Sequence, residues 1–289
     1  MDIRELIAQF SSLSGFSGVT RLTANNPHLR GPLLRAVNYH GTPSVFKEQL
    51  ARHFAYYLRH FKVLCEEDLP KFLKGELSGT QPYLLITFDD GLKTNYIVAS
   101  KLLDEFGIKG IFFLPVSLID QADKSQDEQK EFYLKNLGGV AEEVLSSEQY
   151  QPMSWEEVKD LVWRGHAVGS HTLTHCSLRN GLDKKTLERE VVCSRKILEE
   201  RLQKKVVSFC WTFGGVSDYS KTAYELVHKH YDFAFTTFSK PLQPGGNPYT
   251  IDRSNVESGM SIARVKCATQ GITELYFLSR RKRFEAIVQ

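Results

Sequence analysis

The chain has 289 residues, of which 42% are hydrophobic and 25% charged, and its formal net charge is +3 at pH 7. These proportions are typical of a folded globular protein and exclude a chain that is disordered throughout. The length fits one large α/β domain or two small ones, and the small, evenly spread positive charge gives no reason to expect a nucleic-acid partner.

The five cysteines are scattered and form no Cys-x-x-Cys pair, so neither a disulfide framework nor a structural zinc knuckle is expected. The first residues are acidic where a signal peptide needs basic ones, and no stretch approaches the ~20 apolar residues of a membrane span. We therefore expect a cytoplasmic protein. The basic cluster at 280–283 is expected to be a solvated face, with a weak attraction to anionic lipid headgroups or phosphorylated substrates as the alternative.

Residues 1–34 show no clear periodicity, and we predict an N-terminal arm there. From residue 35 onwards, apolar residues at helical spacing indicate amphipathic helices, and short apolar runs indicate buried parallel strands. In chain order the predicted elements are a strand at 35–40, a helix at 46–61, a strand at 83–88, a helix at 95–106, a strand at 110–115, a helix at 155–163, a strand at 165–170, a helix at 182–202, a strand at 206–209, a helix at 219–230 and a strand at 233–237.

One polar, charged segment, residues 119–150, interrupts this alternation, and we interpret it as an insertion over the core with helical patches at 124–134 and 140–145. The rest of 35–289 is then a single domain. Strands and helices alternate at least five times, which predicts a mostly parallel α/β fold, either a barrel or a doubly wound sheet. Functional residues of such folds lie at the carboxyl ends of the strands. The polar residues that end strands here are Asp89, Asp90, Ser170, His171 and Trp211.

Two carboxylates, Asp89 and Asp90, follow the apolar run at 83–88. Both cannot stay charged at the end of a buried strand without compensation, which a divalent cation or a shared proton would provide. The sequence Asp-Asp-Gly is also common in turns, so this feature alone allows either a site or a turn.

Two histidines, His171 and His175, follow the predicted strand at 165–170 at a spacing that places both rings on one face of a helical turn. Structural histidines are the alternative. The surrounding residues are hydroxylated rather than apolar, which favours a polar site. Two imidazoles and one carboxylate are the ligand set of a catalytic zinc ion that leaves a position open for water.

These residues resemble the first two motifs of the polysaccharide deacetylase (NodB-homology) family, as Thr87–Gly91 and Ser170–His175. Their order and separation fit, as do the flanking segments Tyr39–His40, Gly165–Ser170 and Pro248–Arg253, and the resemblance covers about residues 35–260. It implies a distorted (β/α) barrel of the NodB type. It also implies that Asp89 is the base and that Asp90, His171 and His175 bind a divalent metal, with zinc as the expected ion.

The third family motif is Arg-Pro-Pro-Tyr-Gly or, in one branch, aromatic-Pro-aromatic-Gly, and the stretch at 209–215 is closer to the second form. The resemblance implies that the backbone N–H of Phe213 helps to bind the oxyanion, a role that survives a change of side chain. Cys210 replaces the arginine that tunes the base. Trp211 is expected to form a wall for a sugar ring, with core packing as the alternative.

Many family members have a catalytic acid histidine late in the chain, but no histidine follows His230 here. The acid is then His40, another group, or absent. Tyr39 and His40 are expected to contact substrate. Arg253 matches an arginine of the aromatic-Pro branch and is also expected to contact substrate, with a structural salt bridge as the alternative.

The sequence therefore predicts a metal-dependent carbohydrate N-deacetylase, a hydrolase of C–N bonds other than peptide bonds, that removes an N-acetyl group from a sugar or a sugar precursor in glycan biosynthesis. The expected partner is an N-acetylated sugar, free or linked to a nucleotide or lipid. Two alternatives remain: a hydrolase of the same fold for another amide or ester, and a catalytically silent carbohydrate-binding relative.

Overall fold

The structure is a computed structural model and describes residues 32–79, 81–137, 146–271 and 274–288. The predicted N-terminal arm at 1–34 lies almost entirely outside the described residues, and so does the predicted helical patch at 140–145. The description below concerns the described ranges only.

Eight strands form one sheet in which every strand pairing is parallel. Strand β1 pairs with β8 on one side and with β3 on the other, so seven strands close into a barrel, and the short β2 pairs with the start of β3. The prediction of a parallel (β/α) barrel is confirmed. The strands are β1 Leu34–Tyr39, β2 Lys62–Val63, β3 Tyr83–Phe88, β4 Ile111–Leu114, β5 Ala167–Ser170, β6 Ser208–Cys210, β7 Phe233–Thr236 and β8 Ile251–Asn255.

Helices surround the barrel and connect its strands. The α-helices are α1 Lys47–His60, α2 Leu69–Leu73, α3 Lys101–Glu105, α4 Val116–Ile119, α5 Gln126–Asn136, α6 Ser147–Tyr150, α7 Trp155–Trp163, α8 Lys184–Leu187, α9 Ser194–Leu202, α10 Lys221–His230, α11 Ile262–Thr269 and α12 Glu274–Val288. Two π-helical segments, Asn95–Ser100 and Glu188–Cys193, lead directly into α3 and α9. The second of them divides the long helix predicted at 182–202.

Alternation along the strands separates two apolar layers. One set of positions packs inside the barrel, for example Leu85 on β3 and Phe113 on β4, whereas their neighbours pack outward against the helices, for example Ile86 and Phe112. Gly169 on β5 is needed at the inner layer, because a Cβ there would lie 2.4 Å from the Phe113 ring and 2.9 Å from the Ser208 carbonyl oxygen. The barrel interior is therefore packed rather than open.

Strands β1 and β3 run side by side in a register that pairs Asn38 with Thr87 and Tyr39 with Phe88. The next residues, His40 and Asp89, therefore emerge at the same end of the barrel. This is the carboxyl end of all the strands, where the sequence predicted the functional residues.

Three elements near the C-terminus had no counterpart in the sequence prediction: β8, which closes the barrel, and the helices α11 and α12. The last helix, α12, docks through Phe284, which is 1% exposed and lies against Tyr219 and Phe238. Among the described residues, no helix combines the length and apolar character needed to cross a bilayer.

Candidate active site

A cleft of about 440 Å³ opens at the carboxyl end of the barrel. It collects side chains from the ends of six strands and from helix α5 of the insertion. Its walls are formed by His40, Asp89, Asp90, Tyr133, Leu137, His171, His175, Trp211, Phe213, Thr237, Arg253, Asn255 and Glu257. Eight of the nine predicted site residues are in this set, and Tyr39 is not.

The predicted metal ligands Asp90, His171 and His175 face one another in this cleft. Oδ1 of Asp90 lies 3.6 Å from Nε2 of His171 and 3.4 Å from Nε2 of His175. All three residues are buried. Their ligand atoms lie within 4.8 Å of one another, close enough to share one ion.

Hydrogen bonds on the far side of each ring fix which nitrogen carries the proton. His171 Nδ1 lies 2.9 Å from the carbonyl oxygen of Cys210, and His175 Nδ1 lies 3.1 Å from that of Asn136. A carbonyl oxygen only accepts, so each Nδ1–H donates, and in the neutral rings the Nε2 lone pairs point towards Asp90. The second of these carbonyls belongs to the last residue of α5, so the insertion orients a predicted ligand.

This donor set fits a divalent metal ion. Oδ1 of Asp90 is buried and has no hydrogen-bond partner among the described residues. Two imidazole lone pairs and an orphaned carboxylate oxygen are three acceptors facing one another, and a cation satisfies all of them at once. One carboxylate and two imidazoles suit zinc and similar first-row metals.

The backbone is left-handed at both ends of this ligand set. Asp90 has φ 71° and His175 has φ 61°. Gly91 follows with φ 66°, and a Cβ at that position would lie 2.8 Å from Cδ1 of Ile119, so only glycine fits. The turn at Asp90–Gly91 breaks the strand alternation and lets Asp90 face the same cleft as Asp89.

Asp89 is held by Arg253 from β8 through two hydrogen bonds, from Nη1 to Oδ1 at 2.6 Å and from Nη2 to Oδ2 at 2.8 Å. Asn38 Nδ2 lies 3.4 Å from Oδ2. Burial alone would raise the pKa of the Asp89 carboxyl, but the charge of Arg253 and its hydrogen bonds outweigh it, so the pKa lies below its ordinary value. Asp89 is therefore a carboxylate at neutral pH, as a base must be.

Arg253 is itself fully buried, and its remaining donors are used within the protein. It donates to Oγ1 of Thr87 at 3.0 Å, to the carbonyl oxygen of Thr236 at 3.2 Å and to Sγ of Cys210 at 2.8 Å. We expected Arg253 to contact substrate, with a structural salt bridge as the alternative. The structure shows the salt bridge, and the guanidinium lies beside the small Cys210, in reach of the base.

His40 pairs with Glu257, a residue of the loop after β8, through a 3.1 Å contact from Nδ1 to Oε1. Burial would lower the pKa of His40, but the hydrogen bond to Glu257 and the charge of Asp90 raise it to about 9. The side chain is 39% exposed and lines the cleft. His40 is therefore positioned as a proton donor at neutral pH.

Tyr39 does not line the cleft, because its side chain points to the opposite face of β1 from its neighbours Asn38 and His40. Its hydroxyl is hydrogen-bonded to that of Tyr57 at 2.7 Å and to Nδ1 of His53 at 3.1 Å in the layer beneath α1. The ring is fully buried. A contact between Tyr39 and substrate is thus not compatible with the structure.

The aromatic residues after β6 form one side of the cleft. Trp211 is 1% exposed, and its Nε1 is buried with no hydrogen-bond partner among the described residues. Phe213 is 55% exposed, and its ring centroid lies 4.6 Å from that of His175. It has φ 62°, and its backbone N–H donates no hydrogen bond within the described part of the chain.

Sequence reasoning missed several residues of this site. Glu257 and Asn255 lie on or after β8, a strand that was not predicted, and Tyr133 comes from the insertion. Asn38 could have been found, since it lies two residues before His40 on the same face of a predicted strand. No local spacing pointed to the others.

The comparisons with known proteins agree with the resemblance noted in the sequence. A family model described as polysaccharide deacetylase matches residues 77–231, more than half of the chain. The Bacillus subtilis (strain 168) protein YxkH, named provisionally as a polysaccharide deacetylase, is 22% identical over 201 residues, or 70% of this chain. That match spans 61% of the relative, so the chain covers about three fifths of its length.

Among solved structures, the chain is similar to the Streptococcus pyogenes deacetylase PplD in complex with acetate, with a TM-score of 0.65 and 14% identity over 83% of this chain and 99% of that one. It is also similar to IcaB from Ammonifex degensii, with a TM-score of 0.63 and 19% identity over 85% and 98%. A de-N-acetylase from Aggregatibacter actinomycetemcomitans gives a TM-score of 0.63 and 15% identity over 82% and 99%. These structures share the fold of this chain. The family model, which matches more than half of the chain, shows that the chain belongs to the polysaccharide deacetylase family.

Proposed function

We propose that the protein is a metal-dependent hydrolase that removes an N-acetyl group from a sugar. The observation that carries the proposal is that one cleft brings together a three-residue metal-ligand set, an arginine-held carboxylate and a carboxylate-held histidine. Family membership supports the same activity. Hydrolysis of an acetamide needs these functions together: polarisation of the carbonyl, a base for water and an acid for the amine.

Asp90, His171 and His175 are the residues that would hold the metal, and we propose zinc as the ion. Such an ion, when bound, would lower the pKa of a nearby water and polarise the acetyl carbonyl. The remaining chemistry belongs to side chains and backbone groups of this chain.

Asp89 is the proposed base. A water in the cleft transfers a proton to the carboxylate as its oxygen forms a bond to the acetyl carbon. Arg253 keeps the carboxylate ionised and fixes the direction of its oxygens, since both guanidinium nitrogens contact it. Arg253 is thus a positioning residue, not a substrate contact.

His40 is the proposed acid. The C–N bond breaks as the imidazolium transfers a proton to the nitrogen, which gives acetate and a free amine on the sugar. Glu257 keeps His40 protonated and orients its ring through the contact at Nδ1, which leaves Nε2–H for the substrate. This pair, contributed by β1 and the loop after β8, supplies the acid that the late part of the sequence lacks.

The backbone N–H of Phe213 is the proposed oxyanion donor, because it lies on the cleft wall and is unused within the described part of the chain. The exposed Phe213 ring provides apolar surface against which the face of a sugar ring can stack, whereas Trp211 is buried behind this wall and packs against Phe209 and Tyr219. A solved neighbour described as a de-N-acetylase and another described in complex with acetate support an N-acetyl substrate.

The test is release of acetate from N-acetylated sugars by protein loaded with zinc and by the same protein after chelation. We expect release that depends on metal and is abolished in Asp89→Asn. The panel should contain free, nucleotide-linked and lipid-linked N-acetyl sugars, an O-acetylated sugar and an acetylated peptide.

Three results would contradict the proposal in different ways. Release only from the O-acetylated sugar or the acetylated peptide would indicate a hydrolase of the same fold for another ester or amide. Sugar binding without release from any substrate would favour a silent carbohydrate-binding relative. Undiminished acetate release after chelation would show that the reaction does not depend on a metal ion.

A further inference from the structure

The loop that carries the two histidine ligands has an unfavourable backbone conformation. Between His171 and His175, Thr172 has φ 63°, and His175 itself has φ 61°. The left-handed region is disfavoured for residues with a Cβ, and most of all for a β-branched one. The loop therefore needs contacts from outside to keep both imidazoles pointed at Asp90.

Those contacts come from the carboxylate of Glu190. Its Oε2 accepts from the backbone N–H of Leu173 at 3.1 Å and from that of Thr174 at 2.9 Å. Its Oε1 accepts from the Thr174 hydroxyl at 3.0 Å and from Nη2 of Arg189 at 2.9 Å. Three of these four donors belong to residues between the two histidines, so the carboxylate is hydrogen-bonded directly to the loop that carries them.

The location of Glu190 indicates that its hydrogen bonds to the loop have a functional role. The residue is fully buried, and a buried carboxylate is rare unless its oxygens are fully engaged. It lies in the π-helical segment Glu188–Cys193, and such helix irregularities are frequent at functional sites. Glu190 is not among the residues that line the cleft, so it would contact neither substrate nor metal.

We propose that Glu190 is a positioning residue that holds the loop His171–His175 in its metal-binding conformation and thereby sets the affinity of the site for its divalent ion. The inference rests on the metal site of the proposed function, but not on the identity of the substrate. Glu190 acts on the backbone between the ligands, whereas the Cys210 and Asn136 carbonyls act on the rings themselves.

The test is metal binding by the full chain. Apo protein is titrated with Co²⁺, whose d–d absorption reports coordination geometry, and Zn²⁺ affinity is measured by competition with a chelator. In Glu190→Gln the negative charge is lost at nearly constant volume, and the amide nitrogen cannot accept a hydrogen bond from Arg189 or from a loop N–H, so the contacts to the loop become weaker. We expect Zn²⁺ affinity to fall about 10- to 100-fold, with an altered Co²⁺ spectrum, and turnover to recover in excess metal.

Glu199→Gln is the matched control. Glu199 also accepts from a backbone N–H, that of Val206 at 3.0 Å, and from the side chain of an arginine, but it lies in α9 outside the cleft. It should keep the metal affinity and spectrum of the unmodified protein. Thr174→Val removes one hydroxyl donor only and should weaken Zn²⁺ binding in the same direction by a smaller factor.

The inference is overturned if Glu190→Gln keeps the Zn²⁺ affinity and Co²⁺ spectrum of the unmodified protein, even with a lower melting temperature. Glu190 would then have a purely structural role, and the proposed function would still stand. If Glu190→Gln does not fold, Thr174→Val decides: unchanged affinity overturns the inference, and weakened affinity supports it. If the unmodified protein binds neither ion, the metal site itself fails, and the inference falls together with the proposed function.

Discussion

Replacing Arg253 tests how the base is kept ionised. The buried guanidinium contacts both oxygens of Asp89, at 2.6 and 2.8 Å. Two unit charges about 4 Å apart interact by about 4 kcal/mol at an effective dielectric constant of about 20. We therefore expect Arg253→Met to raise the pKa of Asp89 above its value in the unmodified protein.

The sign of the pH dependence follows from this shift. Asp89 works as a carboxylate, so activity falls as pH drops through its pKa. With Arg253 present, this acid limb lies below the ordinary value of about 3.9 for aspartate. In Arg253→Met, the effect of burial is no longer offset, and the acid limb of kcat/KM should move to higher pH. A bound metal ion acts on Asp89 in both proteins, so the difference between them reports the guanidinium.

The same variant has a predictable effect on stability. In the unmodified protein, the depressed pKa of Asp89 contributes stability above about pH 4, and this is lost as pH falls through the native pKa. In Arg253→Met an unpaired buried carboxylate should cost about 3–5 kcal/mol at neutral pH and less as the pH is lowered and the carboxyl is protonated. Denaturant unfolding at several pH values measures both trends.

Arg253→Lys is the control, because it keeps the positive charge and loses the two-point contact. Its acid limb should move less than that of Arg253→Met. If Arg253→Met remains active with an unmoved acid limb, then either Asp89 is not the base or Arg253 does not set its pKa, and the reasoning is refuted.

Two further predictions concern the other proton donor and the two carboxylates. His40→Ala should lower turnover by ~10²–10⁴ with metal still bound, and a near-normal rate would exclude His40 as the acid. Glu257→Gln should shift the basic limb of the pH–rate profile, set by a His40 pKa of about 9, to lower pH. Asp89→Asn should keep metal and lose at least ~10²-fold in turnover, whereas Asp90→Asn should lose metal first and be partly rescued by excess metal. Equal rescue of both variants in a metal titration would contradict this division of roles.

The barrel could be predicted where a strand is buried on both faces. Strand β3 reads Tyr-Leu-Leu-Ile-Thr-Phe, and its predicted and observed limits coincide at 83–88. Strand β8 reads Ile-Asp-Arg-Ser-Asn, and it was missed because most of its residues are polar: Arg253 contacts Asp89 in the interior, and Asn255 is exposed and lines the cleft. The strand that closes the barrel therefore lacks the apolar pattern of a buried strand, because it carries Arg253.

The error on Tyr39 has a similar geometric origin. Adjacent residues on a strand face opposite sides, so Tyr39 and His40 could not both reach the cleft from β1. The observed register confirms the division, since Tyr39 pairs with Phe88 and both rings stack in the outer layer at 5.5 Å. Applying the period of two to the predicted strand would have assigned His40 and Asn38 to the site and Tyr39 to the core.

The ligands and the residues that position them differ in how visible they are in sequence. Asp90, His171 and His175 are found by residue type and spacing, because metal chemistry restricts both. The groups that orient these ligands and the proposed acid come from distant segments: Asn136 lies 39 residues from His175, and Glu257 lies 217 residues from His40. Any acceptor at the right point in space would serve there, so no local pattern marks it.

Backbone conformation is the remaining part that the sequence does not reveal. Among the described residues, six non-glycine residues have positive φ, and four of them are at the site: Asp90, Thr172, His175 and Phe213. Each such conformation costs of order 1–3 kcal/mol and persists only when neighbouring contacts require it. At these positions a glycine would relieve the strain, but it would remove a proposed ligand at Asp90 and His175, and at Phe213 it would remove the ring that packs against His175. The chain keeps side chains where its backbone would favour glycine, and this cost in stability supports the proposal that the cleft is an active site.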